Sequence, residues 1–273
     1  MKKIAFIGGD KRNYLLSEMF ENEGKIFKFG FDDYDNESLK KCLNSCEYII
    51  FPVPFSKDGV NLYAPTSNKE IKIENCIKGI EGKTIFVGKI EDEILKSLQK
   101  KGNVIIDFNK NPEFIKNNAI PTAEGIINII IENTDITIDN SNILVLGFGN
   151  VGKYTAKLLK GLNARVFCYD IKKQEVANIK SCGYNVLEEF NNYIEKIDVI
   201  VNTVPALVLD EDKFKYINKN TLIIDVASKP GGVDFEYAKR NGYKVIHALG
   251  IPGKIAPRTA ATYMKNIIEK YII

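Results

Sequence analysis

A glycine-rich segment in the second half of the chain has the residue types and spacing that hold a dinucleotide. It reads Gly147-Phe148-Gly149-Asn150-Val151-Gly152, follows the apolar run ILVL directly and opens the stretch VGKYTAKLLKGL. In this pattern the first glycine permits a tight turn, the second lets the backbone approach a pyrophosphate, and the third lets a helix pack on a strand. Unpaired N–H groups at the start of the helix face the phosphates. We therefore predict that the cofactor is bound by Gly147, Gly149, Asn150, Val151 and Gly152.

An acidic residue follows this motif at the distance expected of a ribose ligand. Asp170 closes the next apolar run, where a carboxylate accepts the ribose hydroxyls and favours NAD by repelling the extra phosphate of NADP. Lys172 and Lys173 come next and have two interpretations, pairing with a 2′-phosphate or a solvated helix start. The residues leave NAD and NADP both open.

Other polar and glycine-rich segments follow apolar runs, at the carboxyl ends of strands where a doubly wound sheet binds its ligand. They span residues 202–205, 225–232 and 250–260, and residues 120–125 open a helix. Thr203, Val204 and Pro205 are expected to shape the floor beneath the ribose and nicotinamide. The pair Gly8-Gly9 also follows a strand, but it lacks a third glycine and is interpreted as a turn beside the substrate.

These segments need elements to position them, and short β-branched runs alternate with amphipathic stretches along the whole chain. The alternation predicts parallel sheets covered by helices. First-half strands are predicted at 3–7, 25–29, 48–51, 84–87 and 104–106, with helices at 14–23, 91–100 and 112–118. Second-half strands are predicted at 143–146, 165–169, 184–186, 199–201, 222–226 and 244–246.

The pattern predicts an α/β protein with two doubly wound parallel-sheet domains linked by a long helix. Residues 1–120 are assigned to a substrate-side domain, which a C-terminal helix at 257–273 completes. Residues 121–138 are assigned to the linking helix, with Pro121 in its first turn and apolar residues nearly all round. Residues 139–256 are assigned to a Rossmann dinucleotide-binding domain.

Composition excludes several classes of protein. The chain has 273 residues, 45% hydrophobic and 27% charged, which argues against disorder and fibres, and its net charge of +3 argues against a nucleic-acid or membrane partner. Five cysteines without a CxxC pair predict reduced thiols, and we find no metal-ligand constellation. The N-terminal apolar run is too short for a signal peptide, and no window is long enough to span a membrane, so we expect a cytoplasmic protein.

With IAFIGGDKRN at the start, DVASKPGG after one strand and GIPGKIAPRTA after another, the sequence resembles the A subunits of dipicolinate synthase essentially from end to end. The resemblance implies a sporulation enzyme of the bacterial mother cell that works with the flavoprotein-like B subunit of dipicolinate synthase. It implies oxidation of the dihydrodipicolinate synthase product to pyridine-2,6-dicarboxylate, with the hydride passed to NADP. Asp170 departs from that cofactor choice. Assembly into a homo-oligomer stays an open alternative.

The dicarboxylate implied by the resemblance needs donors at two ends. Lys229 and Arg258 are the candidate cations, joined by Ser228 and Thr259, and both cations are also candidate catalytic residues. Glu124 is the candidate proton carrier, with the alternative that its charge only complements the dipole at a helix start. Because the reaction forms an aromatic ring, positioning is expected to dominate. His247 is interpreted as a hydrogen-bonded structural histidine rather than a catalytic one.

Two other functions compete with this one. A dehydrogenase of a 2-hydroxy or 2-amino acid would have the same two-domain plan, but it needs a histidine or lysine paired with a carboxylate, and no convincing pair is evident. A non-catalytic NAD(H)-sensing module would bind nucleotide and signal through domain closure, leaving Ser228, Lys229 and Arg258 unexplained.

Overall fold

The computed structural model describes residues 2–31, 38–190 and 192–272. The chain divides into two compact units, one formed by Met1–Asn118 with Pro252–Ile273 and the other by Ala119–Ile251. Each unit is a parallel β-sheet with helices on its faces, so the predicted fold class is confirmed. No helix within the described ranges is long and apolar enough to cross a bilayer.

The first unit contains a five-stranded sheet in the order β2-β1-β3-β4-β5. Its strands are β1 (Lys2–Ile7), β2 (Gly24–Phe29), β3 (Tyr48–Ile50), β4 (Thr84–Val87) and β5 (Val104–Asp107). Its helices are α1 (Lys11–Met19), α2 (Leu39–Ser45), α3 (Ile73–Ile77), α4 (Asp92–Lys100) and, from the C-terminal end of the chain, α11 (Pro257–Ile268). A 3₁₀ turn covers Phe108–Lys110.

Apolar side chains on alternate positions of the first sheet form two cores, one on each face. On one face Ile4 and Phe6 pack with Met264 and Ile267 of α11, and on the other Ala5 and Ile7 pack with residues such as Phe51. This is the alternation expected of strands buried on both sides. Helix α1 begins at Lys11, three residues earlier than predicted, because the Asp10 carboxylate caps the N–H of Arg12.

The second unit contains a six-stranded sheet in the order β11-β10-β9-β6-β7-β8. Its strands are β6 (Asn142–Leu146), β7 (Arg165–Tyr169), β8 (Asn185–Val186), β9 (Val199–Asn202), β10 (Leu222–Asp225) and β11 (Val245–His247). Its helices are α6 (Asn150–Gly161), α7 (Lys173–Ser181), α8 (Glu211–Phe214) and α9 (Phe235–Arg240), with a 3₁₀ turn at Asn192–Lys196. The order reverses between β6 and β9, which places a ligand crevice beyond the carboxyl ends of these strands.

The boundary between the two units falls near two helices that have residues in both. One is α5 (Pro112–Asn133) and the other is the short α10 (Ile251–Ile255). The prediction that Pro121 lies in a first helical turn is wrong, because the helix runs unbroken from Pro112 and Pro121 lies inside it. The helix is also not buried all round, since Ile126 and Ile130 are buried whereas Ile131 is 62% exposed.

The cysteines form no disulfide, and four of the five are buried. Burial raises the pKa of Cys46 to about 11 and that of Cys76 and Cys168 to about 12, so thiolate is scarce at pH 8. Cys182 is exposed. We expect a disulfide-exchange reagent at pH 8 to label one thiol rapidly in the native chain and five after unfolding in urea. A second rapidly labelled thiol in the native chain would contradict this burial.

Candidate nucleotide-binding site

The glycine motif lies between β6 and α6, at the crevice of the second unit. Gly147 has φ +89°, and a Cβ placed on it would lie 2.6 Å from Thr203 Oγ1. At Gly152 a Cβ would lie 2.0 Å from the carbonyl oxygen of Gly147, so only glycine permits this contact between helix and turn. Gly149 differs, because a Cβ there would meet no atom within 4 Å. The middle glycine therefore borders open space, which is the room that a pyrophosphate needs to approach the backbone.

The N-terminus of α6 provides the donors for such a group. Gly149 is the N-cap and has no side chain to bond the first-turn N–H groups, and no acidic residue occupies that turn. Asn150 is exposed beside it and Val151 is half-buried. Free N–H groups and the helix dipole favour an anion here. These residues fit the phosphates of a dinucleotide.

Lys153 is the cation nearest to this helix start in sequence, but it is already paired. Its Nζ lies 2.8 Å from Glu175 Oε2 of α7. The hydrogen bond from Lys153 lowers the pKa of Glu175, helped by a second one from Asn178. The phosphate contacts are therefore left to backbone N–H groups.

Asp170 follows β7 and binds the turn directly. Its Oδ2 accepts the N–H of Phe148 at 2.8 Å, and its Oδ1 accepts the N–H of Lys172 at 2.9 Å. Each oxygen keeps a further lone pair for a ribose hydroxyl. The side chain thus shapes the glycine turn as well as standing where the ribose is expected. Ile171 is 82% exposed beside it, an apolar surface that no sequence pattern singled out.

The segment after β9 forms one wall of the turn. Thr203 donates its hydroxyl to Leu146 O at 2.9 Å, and its N–H bonds the same oxygen. Asn202 holds Val204 through both the N–H and the carbonyl of that residue. Pro205 is exposed. These contacts fix the positions of Thr203 and Val204, as a floor beneath the ribose requires.

A buried carboxylate organises the neighbouring loop and was not among the residues predicted from the sequence. Asp225 is fully buried at the end of β10. Its Oδ1 accepts Asn202 Nδ2 and the N–H of Ala227, and its Oδ2 accepts the N–H of Gly232, all at 2.9 Å. The loop from 226 to 232 therefore folds back onto this one side chain. A carboxylate closing the apolar run LIID was the signal that could have found it.

We expect Asp225→Asn to lower the free energy of unfolding by about 2 kcal/mol, because the new amide turns N–H groups toward donors that lose an acceptor. Urea unfolding measures the change. Asp212→Asn is the control, since Asp212 is exposed in the same unit and pairs only with Lys215. Equal stability of the two variants would show that the buried network does not hold the loop.

The remaining predicted residues are divided between the units. Ser228 and Lys229 belong to the loop that Asp225 holds, in the second unit, whereas Arg258 and Thr259 belong to the first turn of α11, in the first unit. Glu124 is exposed on α5 and has no partner among the described residues. It lies in the fourth turn of that helix, so the alternative of a charge at a helix start is wrong.

His247 ends β11 and packs against the ring of Phe235, with centroids 4.8 Å apart. Within the described ranges its imidazole makes no hydrogen bond, so the expectation of a hydrogen-bonded histidine is wrong. Its aromatic contact keeps the structural interpretation. Among the described residues no cluster of three or more His, Cys, Asp or Glu side chains is arranged to hold a metal ion.

Comparison with known proteins agrees with this architecture. Residues 3–109 match the family model of the N-terminal domain of the dipicolinate synthase A subunit, and residues 131–230 match that of the NAD binding domain of D-isomer specific 2-hydroxyacid dehydrogenase. The second match and the glycine turn together support a nicotinamide-dinucleotide-dependent oxidoreductase.

Full-length relatives give the same result. The A subunit of dipicolinate synthase from Bacillus subtilis (strain 168) is 30% identical over 284 aligned positions, covering 99% of this chain and 95% of the relative. The crystal structure of the same subunit from Bacillus halodurans superposes with a TM-score of 0.89 at 28% identity, covering 99% of this chain and 97% of the other. The corresponding Bacillus subtilis structure gives a TM-score of 0.86 at 28% identity, with 99% and 95% covered. The chain therefore belongs to the family of dipicolinate synthase A subunits.

Proposed function

We propose that this protein oxidises a dihydropyridine dicarboxylate, derived from the product of dihydrodipicolinate synthase, to pyridine-2,6-dicarboxylate in a sporulating bacterium. The observation that carries the proposal is the open space at Gly149 beside the uncapped start of α6, in a chain that belongs to this family. A nicotinamide dinucleotide, when bound, supplies the hydride acceptor.

The reaction asks the protein mainly for positioning. The dihydro compound loses one hydride and one proton and becomes aromatic, so much of the driving force comes from the ring itself. Gly149, Asn150, Val151 and the first turn of α6 hold the pyrophosphate, while Gly147 and Gly152 keep the turn closed. Thr203, Val204 and Pro205 form the floor against which the reacting face is oriented.

The substrate carboxylates need cations and hydroxyls. Lys229 and Ser228 contribute from the loop after β10, and Arg258 and Thr259 contribute from the start of α11. An arginine binds a carboxylate through two parallel N–H bonds, whereas a lysine contributes a point charge. Glu124, exposed and without a partner in the described part of the chain, carries the proton if a hydroxylated precursor is dehydrated here.

The choice between NAD and NADP depends on Asp170 in this proposal. We expect Asp170→Asn to weaken NAD by about tenfold and to spare or improve NADP, because the charge that repels the 2′-phosphate is removed while one oxygen remains to accept a backbone N–H. Fluorescence titration of both reduced nucleotides measures the ratio of affinities. Glu188→Gln, which removes an exposed charge near β8, serves as the control. An unchanged ratio would show that Asp170 does not face the ribose.

The enzyme is completed by a partner in this proposal, since the relatives are named as one lettered part of a synthase. Freshly prepared dihydrodipicolinate synthase product is supplied with NAD or NADP, with and without the B subunit, and the reduced nucleotide and the pyridine dicarboxylate are followed together. We expect both to rise in equal amounts. Binding of nucleotide without either signal would favour the non-catalytic sensor instead.

A further inference from the structure

The first unit contains a second crevice that the nucleotide does not use. Its strand order, β2-β1-β3-β4-β5, reverses between β1 and β3. The connection after β1 therefore leaves toward one side and the connection after β3 toward the other. In sheets of this order ligands bind at that reversal, beyond the carboxyl ends of the strands. The residues there are those of the turn 8–10, the start of α1 and the segment after β3.

An arginine held by a carboxylate lies in this crevice. Arg12 is 3% exposed, and its Nε and Nη2 bond both oxygens of Asp10 at 2.8–3.2 Å. Nη2 also donates to Val53 O, in the segment after β3. These contacts use three of the five guanidinium N–H groups. The two on Nη1 have no partner among the described residues, and Asp10 fixes the direction in which they point.

The next residue has an unpaired acceptor. Asn13 is 1% exposed, and its Nδ2 faces Phe51 O at 3.4 Å, which sets the orientation of the amide. Its Oδ1 then has no hydrogen-bond partner within the described part of the chain. The atom lies against Gly9, where a Cβ would come within 2.6 Å of it. A buried unpaired amide oxygen destabilises the folded chain unless a ligand or water bonds it.

Two neighbours complete the surroundings. Gly253 of α10 approaches so closely that a Cβ there would lie 2.6 Å from Asp10 Oδ2 and 2.7 Å from Arg12 Nε. Tyr63 is half-buried nearby, and burial together with the charge of Asp10 raises the pKa of its hydroxyl, so it stays protonated. The crevice thus presents fixed donors at Arg12 and one fixed acceptor at Asn13.

We propose that this crevice binds a carboxylic acid that also has an O–H or N–H donor, with Arg12 Nη1 bonding the carboxylate and Asn13 Oδ1 accepting from the donor. The inference rests on the proposed function and deepens it. Of the two substrates left open, the hydroxylated tetrahydropyridine dicarboxylate has such a donor and the dihydro compound with an imine nitrogen does not. The hydroxylated precursor is then the molecule that enters. It loses water to give the dihydro compound, which loses a hydride and a proton to give the aromatic product.

Two stable probes test the assignment by calorimetric titration of the full chain. Pyridine-2,6-dicarboxylate has no donor at neutral pH, whereas 4-hydroxypyridine-2,6-dicarboxylate has one in either tautomer. We expect the second to bind about tenfold more tightly than the first, as one more hydrogen bond to a buried acceptor implies. Asn13→Leu, which removes the acceptor at nearly constant shape, is expected to make the two affinities equal.

Three further variants separate this role from a structural one. Arg12→Lys is expected to weaken both probes about tenfold, because Nη1 is lost. Asn13→Asp keeps an acceptor, so we expect it to keep the preference between the probes while weakening both. Lys11→Gln removes an exposed cation of the same helix start and is expected to change neither affinity by more than about twofold. Nucleotide affinity, measured in each variant, reports that the chain is folded.

Equal binding of the two probes to the unsubstituted chain, or a preference that survives Asn13→Leu, would overturn the inference; the latter is expected if Asn13 Oδ1 bonds only a water. Because the readout is binding without turnover, the result is separate from the proposed function. Turnover without the preference rejects this site alone, and the preference without turnover rejects the oxidoreductase alone.

Discussion

Gly152→Ala is expected to destabilise the second unit by about 4 kcal/mol and to abolish nucleotide binding. A Cβ at this position would lie 2.0 Å from the carbonyl oxygen of Gly147 and 2.9 Å from its carbonyl carbon, so the overlap is with backbone that no rotamer change relieves. Helix α6 would have to move away from β6, and the turn between them would open. Thermal and urea unfolding measure the stability, and titration with reduced nucleotide measures the binding.

The matched control is Gly161→Ala, at the other end of the same helix. A Cβ at Gly161 meets no atom within 4 Å, so the substitution is expected to be neutral or to stabilise the chain by up to about 1 kcal/mol through helix propensity. If both variants unfold at the same urea concentration, the close contact between Gly152 and Gly147 does not exist in solution.

Gly149→Ala is expected to have the opposite signature, with folding retained and nucleotide affinity reduced about 100-fold. The residue has φ −74° and ψ −164°, which alanine adopts readily, and its Cβ would meet no protein atom within 4 Å. The stability is therefore expected to change by no more than about 1 kcal/mol, the range of an N-cap substitution. The methyl group would occupy the space through which a pyrophosphate reaches the N–H groups of α6, and losing charge-assisted hydrogen bonds accounts for a change of that size.

Together the three alanine variants separate architecture from ligand. Gly161→Ala changes neither property, Gly152→Ala changes both, and Gly149→Ala changes only the binding. Unimpaired nucleotide affinity in a folded Gly149→Ala chain would mean that the phosphates do not lie at this turn.

Local patterns predicted the strands closely because each strand is a short apolar run with a clear beginning and end. Observed β1 starts one residue before the predicted strand, and observed β10 ends one residue before the predicted end. The glycine motif was predicted equally well, since its residues act within one strand, turn and helix. The fold class followed from the same alternation.

The errors arose where a local rule met the tertiary structure. Pro121 is typical of a helix start, yet the buried face of α5, with Ala119, Ala123 and Ile126, continues through it. Packing of that face outweighs the lost N–H bond. Asp225 and Asn13 were not predicted because their partners, Asn202 and Phe51, are distant in sequence and come close only in the folded chain. A one-dimensional pattern does not contain such pairs.

Hydride transfer into a dinucleotide is the central claim, and isotope transfer tests it most directly. Substrate labelled with deuterium at its saturated ring carbons is converted with NAD or NADP by the chain and the B subunit, and mass spectrometry follows the label in the reduced nucleotide. We predict one deuterium in the nucleotide for each pyridine-2,6-dicarboxylate formed. Aromatic product formed with all of the label released to solvent and none in the nucleotide would contradict the account.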